Sequence, residues 1–524
     1  GDTHTRRLPV TPRWIAVLEI ALVCVVFAMQ AGWPTPDVNE PHYIGKARHY
    51  WDPSWAADDF FFQSADTHLV FYLTCGWITR CLSLSAAAWV GRTITWLLIA
   101  TAWQRLCQAV VGRPGWAAFS AALFLAFNVG CHLAGEWVVG GFEAKGLAYA
   151  LVFAALTAFV EGRWNLAFLL LGGASAFHVL VGGWSVVALG LCWIISHDRP
   201  PLGRLLPGIV GGALLAAPGV VPALALNWGV ESQIVAEAND IYVFRRLPHH
   251  LVPNSFRWPF IVRYLAMLLV WLALAWKEDQ PLRVRHINTF TVAALAISLA
   301  GMVLSAVMTN DLEWKAAVLR YYWFRLADVI TPASVALMAA ANLAGGQSPK
   351  SKVQSPKFWW RAGGWLTVCT ALVVYGREDY AAWRLFQSVP RADKSDKVLS
   401  HEAWRDVCLW MAENTPRDAL AITPRMAQSF TWYSGRGQVV SWKDLPQDAE
   451  DVVRWWQRLE DIYGMPHPEF QGRWHESLAE LSPERLRSLG QKYHADYLVV
   501  ESEPPLALPR LYGNEFYVIY RLEK

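Results

Sequence analysis

The sequence predicts a polytopic membrane protein: an all-α bundle of about eleven spans, followed by a soluble α/β domain at the C-terminus. Of its 524 residues, 54% are hydrophobic and 17% are charged, and the mean hydropathy is +0.22. A soluble protein of this length carries more charge and shorter apolar runs. The formal net charge of +3 is small and spread out, which argues against a nucleic-acid partner.

Apolar segments near the roughly 20 residues that a bilayer crossing needs define the bundle. They are 14–31, 86–111, 116–134, 144–161, 164–180, 183–196, 203–227, 257–276, 287–308, 321–344 and 358–376. The first is too long for a removed signal peptide and lacks a small-residue cleavage site, so we expect it to be retained. A further stretch, Leu69 to Leu84, is short and contains Arg80. We expect it to lie along the outer surface as a juxtamembrane helix.

The distribution of lysine and arginine orients these spans. Basic residues recur at every second connection, including Arg6, Arg7 and Arg13 before the first span, Arg199 and Arg204 at the seventh, and Lys277, Arg283 and Arg285 after the eighth. All of these basic residues lie on the cytoplasmic side if the stretch Leu69 to Leu84 does not cross the membrane. The N-terminus is then cytoplasmic and the C-terminal domain extracytoplasmic, which in a bacterium means the inner membrane.

Two domains follow from this pattern. The first is a transmembrane domain, 1–376, which includes the first outer loop, 32–68, and the juxtamembrane helix, 69–84. The second is an extracytoplasmic α/β domain, 377–524. The segment Gly345 to Lys357 is rich in Gly, Ser, Pro and Lys and is typical of a flexible connection on the cytoplasmic side.

The C-terminal domain alternates strand and helix patterns. We expect strands at 419–423, 438–442, 497–501 and 515–522, and helices at 403–413, 449–463 and 483–493, the last capped by Ser482. The domain has no Gly-rich phosphate loop and no nucleophile elbow, which favours a lid or recognition role. Two polar-aromatic stretches, 423–437 and 467–476, are compatible with sugar stacking and equally with packing.

The first outer loop is the strongest candidate for a site. It carries six acidic and two basic residues, a formal charge of −4, with aromatic residues among them as at a membrane–water interface. Asn39, Glu40 and Pro41 have the pattern of a helix start, with Asn39 as the cap. The alternative is a solvated loop that only connects two spans.

Other polar groups near span ends collect on the same outer face in this topology. Ionisable groups at membrane depth are costly and usually mark a site. The candidate substrate-binding residues are His42, Tyr43, Asp58, Asp59, His68, Glu143, Lys145, His178, Arg245, Arg246, Arg320 and Arg325. Each alone has a plainer interpretation, such as an ion pair of Lys145 with Glu143. Their convergence on one face favours a site.

Two short motifs carry a resemblance to a known superfamily. Residues 39–43 (NEPHY) open the first outer loop's helix, and residues 67–72 (THLVFY) follow. With the many spans and the outer C-terminal domain, they resemble the GT-C membrane glycosyltransferases, especially protein O-mannosyltransferases and lipid A aminoarabinose transferases, in a bacterial branch. Those families carry D-E-x-x-Y/H and H-P-P-L-x-Y-Y motifs. Here Asn39 replaces the aspartate, Asp37 lies two positions earlier, and no Pro-Pro pair precedes Leu69.

The resemblance implies transfer of a sugar from a polyprenyl phosphate, within the lipid bilayer, to an acceptor hydroxyl outside the cytoplasm. It implies Glu40 as general base, with Asp37 as the alternative because of the departure in the motif. Arginine or lysine would hold the leaving phosphate, and a groove between spans would take the lipid tail. No cofactor is certain. A divalent cation is possible in the acidic loop, although no ligand spacing demands one.

Two other classes remain open at this point. A transporter or lipid flippase needs polar residues across the bilayer midplane, often on broken helices in paired repeats. The predicted spans carry few charges at that depth, which favours interfacial chemistry. A non-catalytic protein with the same fold is the other alternative.

Overall fold

The computed structural model describes residues 12–276, 280–344, 388–464 and 474–522. Within them the membrane part is helical: α1 (Arg13–Ala31), α2 (Glu40–Trp51), α3 (Phe60–Gln63), α4 (Leu69–Thr74), α5 (Leu84–Val111), α6 (Ala117–Gly130), α7 (Ala144–Val160), α8 (Trp164–Phe177), α9 (Val179–Ile195), α10 (Leu202–Ala225), α11 (Ser232–Asp240), α12 (Pro248–Leu251), α13 (Trp258–Ala275), α14 (Leu282–Val307), α15 (Leu312–Leu319) and α16 (Ala327–Leu343). The predicted linker 345–357 and the predicted span 358–376 lie outside the described residues.

Among the described residues, five helices are long and apolar enough to cross a membrane: α1, α5, α10, α13 and α14. The shorter apolar helices α6, α7, α8, α9 and α16 coincide with other predicted spans. A multi-pass, mostly helical protein is therefore confirmed, whereas the total of about eleven spans stays a prediction.

Small residues let the central helices approach closely, as in other membrane bundles. Helix α8 packs against both α9 and α10. A Cβ atom added at Gly172 of α8 would lie 2.1 Å from the carbonyl oxygen of Gly212 in α10. A side chain at Gly172 would therefore force these two helices apart.

The first outer loop is folded rather than solvated. Within α2, Glu40 and Lys46 are buried, and the Lys46 ammonium donates to the carbonyl oxygens of Phe61 and Ser64. The predicted Asn39 cap is wrong, because its side chain makes no capping bond and instead donates to Glu143. The predicted juxtamembrane helix 69–84 is two short pieces, α4 and a 3₁₀ turn at Gly76–Arg80.

The C-terminal domain is a five-stranded mixed sheet with helices. Its elements are α17 (His401–Asn414), β1 (Leu420–Ile422), α18 (Phe430–Ser434), β2 (Gly437–Gln438), α19 (Ala449–Tyr463), α20 (Pro483–Tyr493), β3 (Tyr497–Glu501), β4 (Arg510–Gly513) and β5 (Tyr517–Arg521), with strand order β2-β1-β3-β5-β4. Strands β1, β2 and β3 pair in parallel, and β5 pairs antiparallel with β3 and β4. The predicted strand 438–442 is shortened to β2, and β4 was not predicted.

The first outer loop packs directly on this domain. Asp59 caps α3 and also accepts hydrogen bonds from the hydroxyl of Thr431 (3.1 Å) and the backbone N–H of Gln438 (3.1 Å). Gln428 donates to the carbonyl oxygen of Val38. The first outer loop and the C-terminal domain therefore share a packed interface.

Candidate functional site

Glu40 begins α2 and is completely buried against Arg92 of α5. Its two oxygens each accept a guanidinium N–H at 2.6 Å, in the two-pronged arrangement that arginine favours. The same oxygens also accept the backbone N–H groups of Phe142 (2.9 Å) and Asp37 (2.7 Å). Glu40 therefore joins three segments of chain, and its hydrogen-bonding capacity is filled.

Asp37 is also buried but is held by fewer partners. One oxygen accepts the Val38 N–H at 2.7 Å and lies 3.4 Å from Arg391 of the C-terminal domain. Burial alone raises the pKa of Asp37, but Arg391, Arg92 and two backbone N–H groups together bring it below its ordinary value. Asp37 is therefore ionised at neutral pH.

A second acidic pair comes from the segment between α6 and α7. Glu143 accepts hydrogen bonds from the Asn39 amide (2.9 Å) and the Trp137 indole (3.2 Å), and burial raises the pKa of its carboxyl. The Lys145 ammonium lies 3.9 Å from both Glu143 and Glu136 and over the Trp137 ring. One ammonium is thus shared by two carboxylates.

Arg325 connects this pair to a row of aromatic and histidine rings. Its Nε lies 3.1 Å from Glu136, and its guanidinium stacks on Tyr322 at 3.9 Å. The His178 ring lies beside Arg325 and 5.4 Å from the ring of His68, which contacts the Tyr43 hydroxyl at 3.3 Å. The row continues the site from Glu136 towards α2.

Two further cations lie at the interface between the first outer loop and the C-terminal domain: Lys443 of the C-terminal domain and Arg246 of the membrane part. Lys443 follows Trp442, and its ammonium makes no hydrogen bond or ion pair with any residue that the structure describes. Burial, together with the charges of Arg246 and Lys397, lowers the pKa of Lys443 to about 7. The Nε of Arg246 donates to the carbonyl oxygen of Trp442, and its guanidinium lies 4.9 Å from the Trp442 ring.

His42 faces the C-terminal domain from α2. Its Nδ1 lies 3.4 Å from an oxygen of Asp444, whose other oxygen accepts the Ser441 hydroxyl at 2.6 Å. The imidazole packs on the Phe61 ring at 4.2 Å. Burial lowers the pKa of His42, so this imidazole is neutral at pH 7.

The structure thus brings together most of the residues that the sequence singles out. Around one interface lie Asp37, Glu40, His42, Tyr43, His68, Glu143, Lys145, His178, Arg246 and Arg325. Asp58 is exposed, and Asp59 lies under the C-terminal domain. Arg245 pairs with Asp240 at the surface, and Arg320 donates to Asn239. Asp59, Arg245 and Arg320 are therefore engaged with other residues of the chain.

Several residues of this interface were not among the sequence candidates. Arg92 carried a usable signal, because an arginine inside an apolar span needs a partner. Lys443, Asp444 and Arg391 carried none, since only the packing of the C-terminal domain brings them to the site. Within the described ranges, no group of three or more His, Cys, Asp or Glu side chains converges to hold a metal ion.

An apolar cavity of about 420 Å³ lies between α8, α9 and α10. Helices α9 and α10 both pack on α8, and the cavity lies where the three helices meet. Its lining includes the glycines Gly172, Gly190 and Gly212. Ser175, in the last turn of α8 and three residues before His178, is one of the lining residues. The lining of the cavity therefore comes within about one helical turn of His178, which belongs to the polar interface.

Comparison with solved structures addresses the fold. The chain superimposes on arabinofuranosyltransferase AftD from mycobacteria with a TM-score of 0.50 at 15% sequence identity, covering 98% of this chain and 42% of that enzyme. The chain has the GT-C fold. The GT-C resemblance in the sequence is thereby confirmed for the fold, over less than half the length of AftD.

The chain is also similar to a second solved structure and to one sequence family. An oligosaccharyltransferase of Archaeoglobus fulgidus superimposes with a TM-score of 0.39 at 12% identity, covering 93% of this chain and 67% of that one. A domain of unknown function, DUF6798, matches residues 402–462, which form part of the C-terminal domain. No curated protein matches the sequence.

Proposed function

We propose that this GT-C protein is an integral-membrane glycosyltransferase. It moves a sugar from a polyprenyl-phosphate donor to an acceptor hydroxyl on the extracytoplasmic face. The observation that carries the proposal is the ammonium of Lys443, which makes no hydrogen bond or ion pair with the described residues and whose charge interacts with those of Arg246, Glu143 and Asp444. The Lys443 side chain is half-buried. A cation that has lost part of its hydration and has no hydrogen-bond acceptor is costly, so an anionic group is the natural occupant.

The leaving phosphate of the donor is that anion. In the transfer, the bond between the anomeric carbon and the phosphate oxygen breaks, and the acceptor oxygen bonds to the anomeric carbon. The acceptor proton goes to a base, and the polyprenyl phosphate leaves as an anion. Lys443 and the terminal amino groups of Arg246 would stabilise the charge that develops on this phosphate.

A carboxylate of the first outer loop is the base, and its contacts favour Asp37 over Glu40. All four hydrogen bonds of Glu40 are taken by Arg92 and two backbone N–H groups. Asp37 is ionised and has fewer hydrogen bonds, from the N–H groups of Val38 and Gly141, with Arg391 at 3.4 Å. In this proposal Asp37 takes the proton, and Glu40 is a positioning residue that fixes the Asp37 backbone through its N–H.

The apolar gap between α8, α9 and α10 supports the lipid part of the proposal. Its lining is almost entirely apolar, with glycines that leave room for a chain. A polyprenyl tail in this gap would keep contact with the bilayer while its phosphate reaches the polar interface near His178.

The test is release of polyprenyl phosphate by the full chain in proteoliposomes. The chain is incubated with membrane extract and undecaprenyl-phosphate-linked arabinose, mannose, glucose or galactose, and mass spectrometry measures the undecaprenyl phosphate. We expect release from at least one donor, and its loss in Lys443→Gln and Asp37→Asn. Lys492→Gln, at an exposed ion pair with Asp461, is the control. Release from no donor, or equal release by Lys443→Gln, would contradict the proposal.

A further inference from the structure

The geometry points to a second ligand site in the C-terminal domain, one that takes a neutral carbohydrate. It is a cavity of about 310 Å³ lined by Lys397, Arg425, Tyr463, Trp474 and Glu501, among others. We call it the Arg425 pocket. As an acceptor-binding site it rests on the proposed function, but as a carbohydrate site it stands by itself.

Described residues from both polar-aromatic stretches line this pocket. Pro424, Arg425 and Met426 come from the stretch 423–437, and Trp474 and His475 come from the stretch 467–476. The two stretches are separated by helix α19 in the chain. The volume lies at the lower end of the range of about 300–1,000 Å³ that is typical of small-ligand sites.

Arg425 presents unused hydrogen-bond donors to the pocket. Its guanidinium lies 5.2 Å from the Trp442 ring and 5.3 Å from the Trp474 ring, so two indoles hold it in place. The guanidinium makes no hydrogen bond or ion pair with any residue in the described ranges. A guanidinium has five N–H donors in a fixed plane, which here are oriented before any ligand arrives.

Hydrogen-bond acceptors also line the Arg425 pocket. The carboxylate of Glu501 accepts the Ser477 hydroxyl at 2.6 Å through one oxygen, which leaves the other for a ligand. Tyr463 and Trp474 add aromatic surface. A sugar ring offers hydroxyl donors and acceptors at its edge and C–H groups on its face, and this lining matches both.

The balance of charges argues for a neutral ligand. Lys397 and Arg425 are opposed by Asp396, Glu476 and Glu501 around the cavity. An anionic ligand would meet repulsion from three carboxylates, and a cationic one would meet Arg425 and Lys397. A polyhydroxylated neutral molecule avoids both costs.

The Arg425 pocket borders the proposed donor-phosphate site. Both sites share Trp442, since the Arg425 guanidinium lies 5.2 Å and the Arg246 guanidinium 4.9 Å from its ring. Lys397 lines the pocket, and its charge reaches Lys443. A glycan bound at Arg425 would therefore lie beside the proposed donor-phosphate site, as an acceptor must.

The experiment measures binding by itself. Purified full chain in detergent is titrated calorimetrically with mannotriose, arabinotriose and cellotriose, and with anionic trigalacturonic acid. We expect at least one neutral trisaccharide to bind, and Arg425→Ala and Glu501→Gln each to weaken it tenfold or more. Arg454→Ala, at an exposed ion pair of the same domain, should leave the affinity unchanged. Preferred binding of trigalacturonic acid, or of none of the four, would overturn the inference.

Two further variants separate folding and function from binding. Arg425→Lys keeps the charge and the fold but loses the planar fork, so it should also weaken binding. Lys443→Gln should leave trisaccharide affinity unchanged while it abolishes donor turnover. If trisaccharide binding persists but no donor is used, the carbohydrate site stands and the proposed function fails. If Arg425→Lys and Arg425→Ala both bind as wild type, the pocket is not the site.

Discussion

Glu40 and Asp37 are three residues apart in the sequence, but their contacts differ and so do the roles that we propose for them. Glu40 neutralises a buried arginine, whereas Asp37 is poised as an ionised carboxylate beside Arg391. The motif in the sequence could place a carboxylate here but could not choose between them. The choice depends on Arg92, which lies 52 residues away and meets Glu40 only after folding.

Glu40→Gln and Asp37→Asn should therefore fail in different ways. Glu40→Gln leaves Arg92 buried without its counter-charge, which costs about 3–5 kcal/mol of stability. Asp37→Asn should fold and bind donor lipid but transfer about 10²–10⁴ times more slowly. Melting temperature in detergent and single-turnover transfer rate measure the two effects. A stable Glu40→Gln that binds donor and has lost transfer would instead make Glu40 the base.

Donor binding should weaken with rising pH because of Lys443. Its pKa of about 7 in the free protein means that it loses its proton above neutrality. A bound phosphate requires the ammonium, so undecaprenyl-phosphate affinity should fall by up to about tenfold per pH unit above pH 7. Lys443→Arg should bind at all these pH values, because arginine stays charged. A wild-type affinity that is flat from pH 7 to 9 would remove Lys443 from the site.

Individual elements follow local rules only where neighbours do not compete. Helix α20 begins as predicted, with the Ser482 hydroxyl accepting the Arg485 N–H. At α2 the predicted cap, Asn39, donates to Glu143 instead, because a buried carboxylate is the stronger partner. Strand β4 has no strong pattern of its own and exists because it pairs with β5. Such partners cannot be read from a local window of sequence.

The contact of the first outer loop with the C-terminal domain should depend on pH through Asp59. Burial, with the nearby Asp444, raises the pKa of Asp59 to about 7. The native state then holds a proton that the unfolded chain releases near pH 4, so stability should fall as pH rises from about 4 to 7. The slope is at most about 1.4 kcal/mol per pH unit. Asp59→Asn should lack this component, which the difference between the two melting curves measures. Identical pH slopes would refute it.

At the scale of the whole molecule, the helical bundle and the C-terminal α/β domain were both predictable, because apolar length and periodicity are local properties of the chain. Their docking was not predictable. It brings Lys443, Asp444 and Arg391 to the membrane helices through contacts that join residues hundreds of positions apart. The residues that the first outer loop and the membrane helices contribute to the site could therefore be predicted from the sequence. Those that the C-terminal domain contributes could not, because they reach the site only through tertiary packing.

The orientation in the membrane can be tested with two cysteines in a chain that otherwise lacks them. Lys492 is exposed on the C-terminal domain, and Arg163 is exposed in the turn between α7 and α8. We expect an impermeant thiol reagent to label Lys492→Cys in spheroplasts and Arg163→Cys only after permeabilisation. The basic residues at alternate connections are the reason. The opposite pattern would put the proposed site on the cytoplasmic face.

The most direct test of the central claim is a cryo-EM structure of the full chain in nanodiscs with undecaprenyl phosphate. The account predicts phosphate density within about 3 Å of Lys443 and Arg246, which is hydrogen-bonding distance. It also predicts tail density leading to the gap between α8, α9 and α10. Phosphate density at any other surface, with Lys443 unchanged, would contradict the assignment of this interface as the site of transfer.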